Sequence, residues 1–166
     1  MPLYEIEHIT PLSTHQKDDL ARSITRVHSH LFTTPSLFVN VRFTPTASHD
    51  VYIGGKKRSL NRILAHVRPG GDRSAEVLNK LCAQITDAWN GILGDCAGDR
   101  ELRAVFVLGT IVAGSEAGFA LPPAGEDKEW LKGNVKAFEK RAEAGDGEFA
   151  DVLEEMRTRE DLRELL

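Results

Sequence analysis

The chain opens with Met1-Pro2, and that pair carries chemistry. Initiator methionine is normally removed ahead of a small residue such as proline, and its loss leaves Pro2 with a free secondary amine. Free α-amino groups titrate near neutrality and burial disfavours the ammonium form, so such a nitrogen can serve as a general base at physiological pH. The plainer reading is a proline at a strand's first position, where it is tolerated. A second candidate is Val67-Arg68-Pro69-Gly70-Gly71-Asp72-Arg73-Ser74. There a strand gives way to a helix, so unpaired backbone N–H groups, the positive end of the helix dipole and two guanidiniums together suit a carboxylate or phosphate. No Gly-Lys-Ser/Thr follows the glycines, which excludes a P-loop. The alternative is a solvated turn whose arginines pair with surface acids.

Glu116 stands alone in the apolar, glycine-rich stretch Val112-Ala113-Gly114-Ser115-Glu116-Ala117-Gly118-Phe119. A carboxylate that loses hydration in such surroundings gains proton affinity and becomes a candidate general base; otherwise it is an exposed loop acid. His28 lies beside the apolar stripe of the first helix, with His30 two residues on. Ligand pairs on a helix prefer i, i+4 spacing, so these two imidazoles do not form a chelate, and a lone His there reads as a core or cap residue. Gly54-Gly55-Lys56-Lys57-Arg58 reads as a hairpin turn followed by exposed bases. Cys82 and Cys96 have neither the number nor the spacing of a disulfide framework or zinc ribbon, and are expected as reduced thiols. No motif points to a metal, a redox centre or an organic cofactor.

The elements that must position these residues follow from periodicity. Residues 2–9 alternate as a strand, with Tyr4 and Ile6 on one face. A capping box at Ser13-Thr14-His15-Gln16 opens a helix over 13–31, with Leu20, Ile24, Val27 and Leu31 on one stripe. Residues 37–43 form the next strand and 51–53 a short one. The order then repeats: strand 60–67, turn 68–72, helix 73–93 with Leu78, Leu81, Ile85, Trp89 and Ile92 inward, and strand 102–108. Right-handed crossovers put both helices over paired parallel strands, giving an α/β fold of two fused β-α-β units in a two-layer sandwich. Its open sheet edges favour association. Residues 109–125 read as a loop, and 130–144 and 148–165 as helices of a C-terminal extension.

The 166 residues are 41% hydrophobic and 28% charged, which fits one globular domain and excludes a disordered chain. The formal charge of −4 argues against nucleic-acid binding through a broad basic face. That charge is uneven: 13 acids face 8 bases from Glu126 to Leu166, whereas 13 bases face 12 acids in residues 1–125. An acidic protein can therefore still attract an anionic substrate at a locally positive site. The longest apolar stretch, 104–114, is too short to span a bilayer, and acids near the N-terminus argue against a signal peptide, so a cytoplasmic location without membrane attachment is expected.

These residues together resemble the tautomerase superfamily, most of all its cis-3-chloroacrylic acid dehalogenase-like branch. The resemblance rests on Pro2 opening a strand, the two β-α-β units, Ser23-Ile24-Thr25-Arg26-Val27-His28, Val51-Tyr52-Ile53-Gly54-Gly55 and the arginine-containing turn ending Asp72-Arg73-Ser74. It continues through Glu116-Ala117-Gly118 and Leu121-Pro122-Pro123-Ala124-Gly125-Glu126 to Glu129-Trp130. It spans about 2–130, which sets a tautomerase-like domain over 1–130, with repeats at about 2–58 and 59–125, and an extension over 131–166. The resemblance implies a catalytic Pro2, a substrate-binding Arg73, Arg68 as its partner across a Pro-Gly insertion, His28 as an orienting group, and Glu116 as the activator of water in hydrating members. It also implies no cofactor and a homotrimer. The tyrosine that the family's dehalogenases carry on the last core strand is replaced here by Val105 or Phe106.

The leading expectation is a tautomerase moving protons on a small 2-oxo or unsaturated carboxylic acid. A hydratase or dehalogenase of an unsaturated 3-halo acid using Glu116 is the second, and a catalytically silent binding or assembly module the third.

Overall fold

The computed structural model describes residues 1–166 apart from Asp72 and Asp95. The Asp72 of the arginine turn therefore lies outside the described residues. Strand β1 (Leu3–His8) pairs in parallel with β2 (Asn40–Pro45), and helix α1 (Thr14–Phe32) makes the crossover between them. The hairpin β3 (Val51–Ile53) and β4 (Lys56–Arg58) leads to β5 (Asn61–His66), which is joined through α2 (Ala75–Leu93) to its parallel partner β6 (Leu102–Leu108). The two units meet where β1 and β5 pair antiparallel, giving the sheet order β2-β1-β5-β6. Alternation sends Tyr4, Ile6, Ile63 and Ala65 to one face, where Leu20 and Ile24 of α1 and Leu81, Ile85 and Trp89 of α2 bury them.

Local signals explain most boundaries. Ser13 accepts from the Gln16 amide while the Gln16 side chain takes the Ser13 N–H, so the expected capping box starts α1. Ser74 caps α2 through the Val77 amide. The second strand begins three residues later than its β-branched composition suggests. Pro35 leads a 3₁₀ turn over Ser36–Phe38, and Phe38 is drawn out of the sheet into a separate apolar cluster. The stretch expected as one loop over 109–125 contains a hairpin, β7 (Ser115–Glu116) and β8 (Phe119–Ala120), turned through Ala117 and Gly118 at positive φ. Cys82 and Cys96 are both free.

The C-terminal extension folds as α3 (Asp127–Glu143), α4 (Gly147–Thr158) and a short α5 (Glu160–Arg163), so the second expected helix is broken at Arg159. The break has a structural use. Arg159 donates to the Ser29 and Thr34 carbonyls at 3.0 Å each while pairing with Glu155 and Asp161. Glu155 in turn accepts from the Ser36 amide at 2.8 Å and its hydroxyl at 2.9 Å. Phe138, Phe149, Leu131 and Met156 then form a second core with Phe38 and Met1. Among the described residues no helix is long and apolar enough to cross a membrane.

Gly71 ties the two parts at close range. Its φ is +67°, and a Cβ placed there would stand 2.2 Å from the Ala124 carbonyl oxygen. Gly71→Ala is therefore expected to destabilise the protein by roughly 1–3 kcal/mol from overpacking, with the strained φ adding to it. Urea unfolding of the variant against wild type checks this.

Candidate active site

The N-terminal amine feels Arg68, Arg73 and Glu116, but Pro2 and Glu116 line one cleft and Arg73 another. Pro2 is buried at the start of β1, where its carbonyl accepts the Asn40 amide at 3.1 Å. The α-amine just ahead of it, on Met1, is pushed down to about 5. Burial is the main cause, Arg68 and more weakly Arg73 add to it, and Asp127 and Glu116 oppose it. That one amine therefore senses both arginines of the strand-to-helix turn and the glutamate of the β7–β8 hairpin. Met1 is 6% exposed.

Arg68, at the end of the second unit's first strand, is 5% exposed and almost fully engaged. One terminal nitrogen donates to the Asp127 carboxylate at 2.5 Å, and the other to the carbonyls of Pro122 and, at 3.0 Å, Pro123. Its Nε–H is buried and has no hydrogen-bond partner among the described residues. Arg73 is half-buried. It donates to the Arg68 carbonyl at 3.0 Å and lies over the Phe32 ring, 4.4 Å from its centroid. It lines a cleft of about 180 Å³ with Phe32, Gly125, Asp127 and Lys128. Arg68 is thus held by the loop and first turn of the extension and Arg73 by the Arg68 carbonyl and Phe32, which is not the solvated turn that spacing alone allowed.

His28 is 1% exposed and projects from α1 beneath Tyr4, whose hydroxyl lies 2.7 Å from His28 Nδ1. Burial, followed by the charges of Arg73, the N-terminal amine and Arg68, holds the imidazole well below its ordinary range, so it is neutral. Burial likewise raises the Tyr4 phenol above its ordinary range. The assignment that uses the phenol hydrogen places it on Nδ1, which leaves the ring proton on Nε2. That Nε2–H is buried without a hydrogen-bond partner among the described residues. His28 is therefore a neutral donor and only half of the satisfied core residue that a lone histidine suggests.

Glu116 is half-exposed and accepts from the Asn40 side chain at 2.9 Å, so its surroundings are more polar than the apolar sequence around it implied. With Met1, Pro2, Leu3, Asn40 and Leu121 it lines a cleft of about 340 Å³. The hairpin bearing it is fastened to α3, where Arg141 donates to the Ala117 carbonyl at 3.0 Å and Trp130 Nε1 to that of Ala120 at 2.9 Å.

Residues 1–135 match the Tautomerase_3 family, described as "Putative oxalocrotonate tautomerase enzyme". The chain belongs to the tautomerase superfamily. Among solved structures it resembles N1, a member of the cis-3-chloroacrylic acid dehalogenase family, with a TM-score of 0.64 and 20% identity over 90% of this chain and 99% of that one. A fused 4-OT solved as an asymmetric trimer aligns with a TM-score of 0.55 and 17% identity, covering 71% of this chain and 94% of that one. RhCC from Rhodococcus jostii RHA1, solved as a point mutant, gives a TM-score of 0.55 and 19% identity over 77% of this chain and 89% of that one. At these identities the likeness is one of fold. No curated protein matches the sequence. Members of the superfamily are generally enzymes, and N1 fits the branch that the sequence resembles.

Two members of the site have no signal in the motifs. Tyr4 is visible in the sequence only as an inward strand residue, yet it supplies a hydroxyl from β1 where the last core strand has none. Asp127 is one of thirteen acids in an acidic tail, and its partner lies 59 residues away. Removing one member of a buried ion pair leaves the other charge uncompensated, typically at a cost of about 3–5 kcal/mol. Asp127→Ala is therefore expected to lower stability by that order. Denaturant unfolding of this variant beside an exposed control such as Asp151→Ala tests the assignment.

Proposed function

We propose that the protein, once Met1 has been removed, is a cofactor-independent tautomerase in which the Pro2 amine transfers a proton on a small 2-oxo or unsaturated carboxylic acid. The observation that carries this reading is the setting of the N-terminus: Pro2 is buried and lines a cleft with Glu116, and the Met1 amine just ahead of it has its pKa lowered by burial and feels the charges of two guanidiniums and two carboxylates. An unprotonated secondary amine at Pro2 takes a proton from the carbon next to the substrate carbonyl and returns it. Arg73 receives the carboxylate, and Arg68, whose terminal nitrogens are engaged, adds the single Nε–H that has no partner among the described residues. The Nε2–H of His28 orients the substrate's carboxylate or carbonyl oxygen, since a neutral imidazole donor stabilises developing charge without adding a cation.

Purified protein of verified intact mass is expected to ketonise phenylpyruvate enol, and Pro2→Ala to lose that activity by on the order of 10²–10⁴-fold. Equal rates for the two would dispose of the proline mechanism, as would retention of Met1 in the active preparation. The pH dependence has a defined sign. Activity requires the neutral amine and falls as pH drops through its pKa. The burial and arginine charges that lower the pKa of the Met1 amine act on the adjacent Pro2 amine once it is freed, so the rising limb of kcat/KM is expected below the ordinary α-amine range near 8.

A second reading is favoured by Glu116, which lines the Pro2 cleft and is held by Asn40. In it the carboxylate activates water for addition to an unsaturated acid, giving a hydratase or hydrolytic dehalogenase. Glu116→Gln then abolishes water addition, followed by NMR of the acid, and leaves enol ketonisation largely intact.

A homotrimer completes the proposal. The sheet face opposite the helices carries Leu3 and Leu64, half-buried, and Phe106, 51% exposed, beside the Glu5–Arg42 pair at 2.9 Å. The fused 4-OT neighbours are described as trimers. Light scattering is expected to give three times the chain mass, and a monomer at micromolar concentration contradicts the assembly.

A further inference from the structure

Residue 1 bridges two environments in the way an amphipathic ligand would. Its amine lies among Arg68, Asp127, Glu116 and Arg73, and its side chain belongs to the buried cluster of Phe38, Leu131, Phe138 and Phe149. The proline mechanism removes this residue, which takes the four heavy atoms of a methionine side chain out of that cluster. The remaining walls do not depend on Met1 for their position. Phe38 follows a turn pinned by Glu155 at Ser36, while α3 is pinned by Trp130 at the Ala120 carbonyl and by Arg141 at the Ala117 carbonyl. Close-packed aromatic and aliphatic walls relax only in part around a deleted side chain, so apolar space beside Pro2 persists.

We infer that the C-terminal helices make this site selective for 2-oxo acids with an apolar tail of about four carbons or a phenyl ring, over three-carbon acids. This rests on the proline reading above and specifies its substrate class. The substrate repeats the two-ended character of residue 1. Its carboxylate faces Arg68 and Arg73, C3 stands at the Pro2 nitrogen, and the group beyond C3 enters the cluster. In the step itself, the C3–H electron pair forms the new C2–C3 π bond as the proton passes to Pro2, and the carbonyl π electrons move to oxygen. In D₂O the reverse step delivers a deuteron to C3, and no co-reactant is consumed.

The test is enzyme-catalysed deuterium exchange at C3, followed by proton NMR with mature protein, for pyruvate, 2-oxobutanoate, 2-oxohexanoate and phenylpyruvate. Burying one methylene is worth roughly fourfold, so kcat/KM should rise along the aliphatic series and exceed the pyruvate value by at least about tenfold for 2-oxohexanoate and phenylpyruvate. Leu131→Phe, which fills the cluster from α3, should shrink that ratio while pyruvate exchange persists. If this variant does not fold, the same ratio measured with Phe38→Leu, which enlarges the cluster, is expected to shift toward phenylpyruvate. Exchange within twofold for all four acids, still abolished by Pro2→Ala, overturns the tail selectivity and leaves the proline reading standing. A ratio unmoved in a folded wall variant overturns the assignment to the C-terminal helices. Absence of any Pro2-dependent exchange defeats both readings together.

Discussion

A guanidinium only 5% exposed is stable when its charge and its hydrogens are met inside the protein, and Arg68 is met by the Asp127 carboxylate and two proline carbonyls. That junction joins the residues just past β5 to a stretch 54 to 59 residues further on, the loop before the extension and the first turn of α3. Asp127 is suited to its place for a second reason, because a carboxylate in a helix's first turn opposes the positive end of the dipole. The Pro122 and Pro123 carbonyls add acceptors without donors, since proline has no N–H to be left unpaired. Gly71 is required beneath this loop, where any Cβ would meet the Ala124 carbonyl. The site around residue 1 takes its shape from these contacts.

Burial also decides the protonation states there. The N-terminal amine and His28 are both driven toward their neutral forms by desolvation, and the nearby arginines act in the same direction. Guanidiniums keep their charge under such conditions because their ordinary pKa is far above neutrality. The outcome is an amine and an imidazole driven toward their uncharged forms beside two arginines that keep their charge. The Tyr4–His28 contact extends this logic, since the phenol meets Nδ1 of a neutral imidazole and leaves Nε2 without a partner among the described residues.

The extension is as much a part of the site as the two repeats. Trp130 and Arg141 reach from α3 to the backbone of the β7–β8 hairpin, while Glu155 from α4 and Arg159 from the α4–α5 junction reach the backbone between α1 and β2. Their targets are main-chain groups at element ends, which hydrogen bonding must satisfy somewhere. The acidity of the tail is thus only partly a solvated face. Several of its charges, Asp127, Glu155 and Asp161 among them, are committed to arginines.

The sequence by itself determined the repeated β-α-β order, the inward faces of α1 and α2, the capping box at Ser13, and the choice of Pro2, Arg68, Arg73 and Glu116 as candidate site residues by type, with His28 joined to them by the family resemblance. Those properties are local: period, capping geometry and side-chain type are all read within a few residues. Tertiary structure alone decided that Phe38 leaves the sheet for the second core, that Glu116 rides on a hairpin beside Asn40, and that Tyr4 rather than a residue of β6 brings a hydroxyl to His28. It also decided that Arg68 is locked by Asp127 while keeping one buried N–H. Each of these depends on burial or on a partner dozens of residues away, and neither quantity has a signature in the local pattern of the chain.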